Sequence, residues 1–244
     1  MTQVHRALWH SVSESRCGHG HEQNEDSFLE RTDIGLWMVS DGMGGHEDGS
    51  MASGAIAAAL DGVEPTHGLA ELLEDVQMRL YSINLALWEE AQRRGGKIIG
   101  ATVCTLLARG NYGAVLWAGD SRAYRVRDGE ATQLTRDHTV VQDLIDRGDI
   151  SPDQAHHHAA EHIITRAIGA GEGLDIDRVI LEIEDGDRYL LCSDGVSKIV
   201  PADELAEIVA APFEEVAARV VKAAQDGGSR DDVTAVVIGF GQDE

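Results

Sequence analysis

The chain has few cysteines and prolines and no long hydrophobic run. The cysteine usage and the absence of such a run each exclude a class of protein. Its 244 residues include 3 cysteines, which are odd in number and far apart, and 4 prolines. This cysteine usage excludes a disulfide framework and the paired cysteines of a zinc or redox motif. No apolar run approaches the roughly 18 residues of a membrane span, and no signal-peptide pattern opens the sequence. We therefore expect a cytoplasmic protein without a membrane span.

Basic residues are also scarce. The chain has 20 Lys and Arg against 43 Asp and Glu, for a formal net charge of −23. Such a charge repels the phosphate backbone of nucleic acid and argues against nucleic-acid binding. The acidic excess either makes a soluble surface or gathers carboxylates that hold divalent cations. The positions of the acidic residues decide between these two interpretations.

Apolar runs rich in β-branched and aromatic residues predict strands at 36–40, 102–108, 114–118, 123–126, 179–183, 189–192 and 233–240. Only short links join some neighbouring runs, such as residues 109–113 and 184–187. Links of this length are typical of hairpins, so we expect largely antiparallel pairing.

Helical periodicity completes the pattern. It predicts helices at 50–60, 68–94, 139–147, 203–210 and 213–224, with a short helix opening at Ser151-Pro152. No proline- or serine-rich linker and no internal repeat divides the chain. With about 150 residues per domain as a guide, these features predict one α+β domain over residues 1–244.

Aspartates flanked by glycine stand at the ends of three predicted strands, as Asp41-Gly42, Gly119-Asp120 and Asp194-Gly195. A single Asp-Gly pair ordinarily marks a turn. Its recurrence beside apolar strands, where an unpaired charge is costly, indicates that the carboxylates converge. Two further acidic segments, Asn24-Glu25-Asp26 and Asp231-Asp232, add to this set.

Converging carboxylates repel one another unless cations neutralise them. Oxygen ligands favour Mg²⁺ or Mn²⁺ over zinc. Two such ions, about 3.5–4 Å apart, would acidify a bridging water and stabilise an in-line displacement at phosphorus. The leading prediction is therefore hydrolysis of a phosphoester.

At these residues the chain resembles the metal-dependent protein phosphatases, the PPM or type 2C serine/threonine family, and most of all its compact bacterial members. The resemblance spans nearly the whole chain. Its motifs follow the family's order and spacing at 24–26, 41–46, 100–102, 119–122, 134–138, 164–169, 192–196 and 230–234.

The resemblance implies a four-layer α-β-β-α sandwich, in which helices flank two packed antiparallel sheets and a binuclear Mg²⁺ or Mn²⁺ centre lies at one end. It implies removal of phosphate from phosphoserine and phosphothreonine in proteins, with a metal-bridging water as nucleophile. The implied partners are Ser/Thr kinases and their substrates. A mobile flap over the substrate would correspond to about residues 137–163.

The resemblance also implies roles for individual ligands. Asp41 would bridge both ions, Gly42 would offer its carbonyl oxygen to one, and Glu25 would hold that same ion mostly through water. Asp194 and Asp231 would complete the other ion.

Two further aspartates receive roles in the same way. Asp26 would orient metal-bound waters. Asp120 matches the residue that in bacterial relatives helps to hold a third, weaker metal ion.

Three positions depart from the family's pattern. Met43 stands where many eukaryotic relatives carry a histidine, although bacterial relatives share the methionine. His21 stands where the family commonly has an arginine that grips the substrate phosphate, and Asp232 stands where an asparagine is common. Either His21 binds the phosphate in its protonated form, or Arg16 substitutes for the arginine, or the activity is weakened. Asp232 adds charge near a cation, which a metal site tolerates.

Two other functions remain open from the residues. The His21 substitution is also compatible with a pseudophosphatase, a metal-binding module that is catalytically weak or idle and acts as a scaffold in kinase signalling. The acidic cluster by itself is also compatible with a two-metal hydrolase of nucleotides or phosphodiesters.

Overall fold

Two antiparallel sheets pack face to face in the computed structural model, which describes residues 8–19, 21–44, 46–155 and 158–241. One sheet has the strand order β1-β11-β10-β7-β8, and the other has the order β2-β3-β5-β6-β9, with the short β4 paired to the end of β3. The strands are β1 Leu8–Arg16, β2 Asp26–Arg31, β3 Leu36–Met43, β4 Gly100–Ala101, β5 Val103–Arg109, β6 Tyr112–Ala118, β7 Arg122–Arg127, β8 Glu130–Gln133, β9 Asp177–Glu182, β10 Arg188–Cys192 and β11 Val233–Gly241.

Helices cover the outer face of each sheet. α1 His46–Asp61 and α2 Leu69–Arg93 cover one sheet, and α6 Ala202–Val209 and α7 Val216–Asp226 cover the other. The other helices of the described residues are the short α3 Val140–Asp146, α4 Pro152–Ala155 and α5 Asp194–Ser197, and 3-10 turns lie at Thr32–Ile34 and Phe213–Glu215. In the described ranges, no helix combines the length and the apolar character that crossing a bilayer requires.

Residues on opposite faces of a strand belong to different cores. In β3, Met38 packs against residues of α1 and α2, whereas Trp37 lies in the core between the two sheets. In β10, Leu190 packs under α6 and α7, whereas Tyr189 joins Trp37 between the sheets. This alternation, which follows from the two-residue period of a strand, produces the four layers α-β-β-α. The predicted α+β sandwich is confirmed.

Three strands at the sheet edges escaped prediction, whereas the edge strand β9 was predicted at 179–183. β1 and β8 are the outer strands of one sheet and β2 is an outer strand of the other. β1 carries Ser11, Ser13 and Ser15 on alternate positions, and β8 is largely exposed. These three edge strands are half solvated, so their sequences lack the apolar run that marks a strand buried on both faces.

The hairpin predicted across residues 184–187 is wrong. β9 pairs with β6 in one sheet, while β10 pairs with β7 and β11 in the other. The link therefore crosses between sheets. The carboxylate of Asp187 holds the crossing, because it accepts hydrogen bonds from the Glu184 backbone amide at 2.9 Å and from the Arg127 guanidinium at 2.6 Å.

Candidate active site

The predicted acidic residues meet at one end of both sheets. Asp26 opens β2 and lies directly opposite Asp41 near the end of β3. The position of Asp41 is set by Thr102, whose hydroxyl accepts a hydrogen bond from the Asp41 amide at 2.9 Å and whose own amide donates to the Asp41 carbonyl at 2.8 Å. Antiparallel register therefore brings together two carboxylates that are 15 residues apart in the chain.

The other sheet contributes Asp194, which follows β10 and begins α5. The neighbouring Ser193 ties the two sheets together, since its hydroxyl donates to Asp26 Oδ2 at 2.8 Å and accepts from the Thr234 amide at 3.0 Å. Asp120 follows β6 after Gly119, whose φ of 117° is a left-handed value that suits glycine. Both aspartates are buried.

Asp231 and Asp232 precede β11 and have different roles in the structure. Asp231 is exposed at the rim of the cluster. Asp232 is buried, and its carboxylate accepts hydrogen bonds from the backbone amides of Gly18 at 2.7 Å and Glu25 at 2.6 Å. Asp232 thus holds the segment before β2 in place.

The carboxylates raise one another's pKa values. Burial, with a further contribution from Asp194, raises the pKa of Asp26 to about 8 and that of Asp120 to about 6. Removal of water from the half-buried Asp41, together with the charges of Asp26, Asp194, Asp120 and Asp231, holds its pKa well above the ordinary value. Desolvation and Asp194 also raise the pKa of Asp231, although its side chain reaches solvent. The predicted convergence of the acids is therefore present.

Several of these oxygens are buried without a hydrogen-bond partner. In the part of the chain that the structure describes, Asp26 Oδ1, Asp194 Oδ1 and both carboxylate oxygens of Asp120 make no hydrogen bond. Buried anionic oxygens that lack donors fit a hard divalent cation. Among the same described residues, no group of three His, Cys, Asp or Glu side chains is placed to hold a metal ion as the side chains stand. The fit to a metal therefore rests on the unpartnered oxygens and on their shared negative field.

Two glycines allow α1 to approach the cluster. A Cβ at Gly49, in the first turn of α1, would overlap Glu25 Oε2, and a Cβ at Gly42 would overlap the Gly49 carbonyl oxygen. The Gly42 amide also donates to the Glu25 carbonyl at 3.1 Å. These contacts place Glu25 and Gly42 beside Asp41. Sequence reasoning missed Gly49, for which the only signal was the glycine-rich run after Asp41.

His21 lies at the rim beside the cluster. Its Nδ1 is 3.2 Å from Asp232 Oδ1, and its side chain is 31% exposed. Arg16, the other residue considered for phosphate binding, forms an ion pair with Glu14 at 2.7 Å and is 63% exposed. Two of the departures from the family's pattern, His21 and Asp232, are thus in contact with each other.

Lys198 reaches into the cluster and was not predicted. Its ammonium group forms an ion pair with Asp194 and lies 3.4 Å from Asp120 Oδ2. The signal was present in the sequence, because Lys198 follows Asp194 by four residues and side chains at that spacing face each other on a helical turn.

The segment predicted as a flap, about residues 137–163, carries the short helices α3 and α4. Its two ends meet at a bridge between Thr139 and Ile164. Asp137 at its base accepts two hydrogen bonds from the Arg122 guanidinium, at 2.8 and 2.7 Å. His162 near its far end lies 3.4 Å from the Lys198 ammonium. Residues 156 and 157 of this segment lie outside the described residues.

The chain is similar to known phosphatases. A family model described as "Protein phosphatase 2C" matches residues 15–235. The serine/threonine protein phosphatase PstP of Mycobacterium tuberculosis is 37% identical over 216 residues, which are 88% of this chain and 41% of PstP. This chain therefore spans about two fifths of the length of that relative.

Solved structures agree with the sequence match. PppA, described as a key regulatory component of T6SS in Pseudomonas aeruginosa, superposes with a TM-score of 0.89 at 34% identity and covers 96% of this chain and 100% of its own. The catalytic domain of PstP in complex with 2 manganese ions superposes with a TM-score of 0.86 at 34% identity and covers 97% of this chain and 100% of its own.

Proposed function

Since the chain belongs to the protein phosphatase 2C family, we propose that it hydrolyses phosphoserine and phosphothreonine in proteins with the help of two Mn²⁺ or Mg²⁺ ions. The observation that carries this proposal is the cluster of unpartnered carboxylate oxygens at one end of both sheets. The two manganese ions in the PstP structure support the choice and number of ions.

The residues that would hold the ions come from both sheets. Asp41, the Gly42 carbonyl and Glu25 lie together at the ends of β2 and β3. Asp194 and Asp231 approach from the other sheet, at the end of β10 and the start of β11. Burial, and then the neighbouring carboxylates, raise the pKa of Asp41, and a bound cation would relieve the repulsion among these carboxylates.

A divalent pair would supply charge neutralisation and an activated water for attack on a phosphate ester. Asp26 would orient the attacking water. Its Oδ2 is occupied by the Ser193 hydroxyl, and its Oδ1 has no partner among the described residues. A fixed carboxylate with one free oxygen can hold a water in a single orientation.

His21 would contact the substrate phosphate. The carboxylate of Asp232 orients the imidazole through Nδ1, at 3.2 Å. The partly exposed position at the rim suits a group that meets a protein substrate. Residues 137–163 would cover that substrate as a flap, and Ser/Thr kinases and their substrates would be the partners.

The test is metal-dependent turnover of a phosphothreonine peptide and of para-nitrophenyl phosphate. We expect hydrolysis with Mn²⁺ that a chelator abolishes. Asp41→Asn should lower kcat by about 100-fold or more, since one lost ligand misplaces the reacting groups. Asp203→Asn, at an exposed aspartate in the first turn of α6, is the matched control and should retain full activity.

Two other outcomes would contradict the proposal. Binding of Mn²⁺ without turnover, unchanged by His21→Arg, would support the idle pseudophosphatase. Preference for a cyclic dinucleotide over the phosphopeptide would support a phosphodiesterase instead.

A further inference from the structure

The Lys198 ammonium is a cation fixed between two carboxylates of the site. It pairs with Asp194 and lies 3.4 Å from Asp120 Oδ2. Asp120 is 2% exposed and has no hydrogen bond to either oxygen from the described residues. Lys198 is therefore the positive charge that balances Asp120 in this structure.

Local structure places the lysine there. Lys198 ends the single turn of α5 that Asp194 begins, and its amide donates to the Asp194 carbonyl at 2.9 Å. This backbone bond fixes the four-residue spacing, so that the side chain extends over Asp194 toward Asp120. The side chain is 33% exposed, with His162 of the flap segment 3.4 Å from the ammonium on the other side.

A cation held covalently to the chain competes with dissolved cations for the same oxygens. The ammonium is present at a high effective concentration in every molecule. A metal ion must displace the ammonium from the carboxylates, and the two positive charges then repel each other at short distance. An ion at Asp120 would also have few protein ligands, since among the described residues Asp194 and Asp120 are the carboxylates that form ion pairs with the ammonium.

We propose that Lys198 serves as a built-in cation for Asp120 and Asp194, in the place of a third divalent ion, and so limits the chain to two metal ions. The inference rests on the proposed binuclear function and adds the residue that sets its metal stoichiometry. Lys198 acts here through the two carboxylates as a positioning residue. Asp120 holds the lysine, in contrast to the third-ion role that the family resemblance implies.

The experiment counts Mn²⁺ bound to the full chain, by titration with electron paramagnetic resonance of free Mn²⁺ and by calorimetry. We expect two ions on the wild-type protein. Lys198→Met keeps the length of the side chain and removes the charge. This variant should bind a third ion, with an affinity on the order of tenfold or more below that of the first two ions. Lys198→Arg keeps the charge and should remain at two.

Two further variants control the measurement. Lys222→Met removes an exposed lysine that also pairs with an aspartate four residues away, Asp226, and should bind two ions. Adding Asp120→Asn to Lys198→Met should return the count from three to two, because the third ion would lose its buried ligand. Far-UV circular dichroism checks the fold of each variant, and Lys198→Gln replaces Lys198→Met if that variant does not fold.

The possible outcomes distinguish a failure of the role of Lys198 from a failure of the proposed phosphatase function. Three ions on the wild-type protein, or two ions on both Lys198→Met and Lys198→Gln, would overturn the role of Lys198 and leave the binuclear function standing. A wild-type protein that binds no Mn²⁺ would overturn the proposed function and this inference together.

Discussion

His21 and Asp232, two residues that depart from the family's pattern, contact each other at the rim of the site. An arginine presents a rigid fork of donors to a phosphate, whereas an imidazole has only two ring nitrogens. Asp232 engages Nδ1 at 3.2 Å and is itself held by the amides of Gly18 and Glu25. The histidine is therefore oriented by a carboxylate that the backbone fixes in place.

Removal of this imidazole should weaken phosphate binding and leave the fold intact. One hydrogen bond to a charged group contributes about 1.5–3 kcal/mol, so His21→Ala should lower kcat/KM for a phosphothreonine peptide by about 10–100-fold. His21→Arg should recover most of this loss. His67→Ala, at an exposed histidine before α2, is the control. Wild-type kcat/KM in His21→Ala would show that His21 makes no contact with the phosphate.

At the scale of elements, the site depends on how closely α1 approaches the ends of β2 and β3. Gly49 is the contact point, where the absence of a side chain leaves room for the Glu25 carboxylate. Gly54 lies in the same helix, and a Cβ there would meet nothing within 4 Å. A substitution at Gly49 therefore tests the close packing against Glu25, whereas the same substitution at Gly54 tests helix propensity alone.

Gly49→Ala should displace Glu25 and weaken Mn²⁺ binding by about tenfold, equivalent to about 1.4 kcal/mol, as measured by calorimetric titration. Gly54→Ala should leave Mn²⁺ binding unchanged and stabilise the fold by about 0.5–1 kcal/mol in thermal unfolding, because alanine loses less backbone entropy in a helix. Equal Mn²⁺ affinity in the two variants would rule out a role for the close approach at Gly49.

At the scale of the whole molecule, the fold gathers like charges at the end where the two sheets meet. The pKa of Asp26 is raised to about 8 and that of Asp120 to about 6, mainly by burial. The metal-free native state therefore binds more protons than the unfolded chain between about pH 4 and pH 8. Its stability must fall as the pH rises through this window, and a metal that needs ionised ligands must stabilise it more at the upper end.

We expect the metal-free Tm to fall between pH 5 and pH 8, and Mn²⁺ to raise the Tm more at pH 8 than at pH 5. Asp26→Asn should reduce the fall in Tm of the metal-free protein by several degrees. Each tenfold change in proton affinity is worth about 1.4 kcal/mol, and the Tm of a chain of this size changes by about 2–4 °C per kcal/mol. His138, whose pKa is lowered mainly by burial, acts in the opposite direction in both proteins. An identical pH profile of Tm in wild type and Asp26→Asn would contradict this prediction.

The sequence by itself determined the strands that are buried on both faces and the helices that bury one face. The central strands and the long helices carry continuous or periodic apolar residues, and these patterns predicted them at nearly their observed positions. The glycine-flanked Asp41, Asp120 and Asp194 were also identifiable, because each interrupts an apolar run at the end of a strand. Burial requires apolar residues at neighbouring positions of the chain, and such a local pattern is visible in the sequence.

Only the tertiary structure decided which segments pair and which charges meet. The edge strands β1, β2 and β8 depend on neighbours that are distant in the chain, and residues 184–187 cross between sheets where their length predicted a hairpin. The Lys198 ammonium near Asp120 and the backbone amides around Asp232 are likewise long-range contacts. Their free energies depend on distances between residues that the chain separates, so no local pattern of residues encodes them.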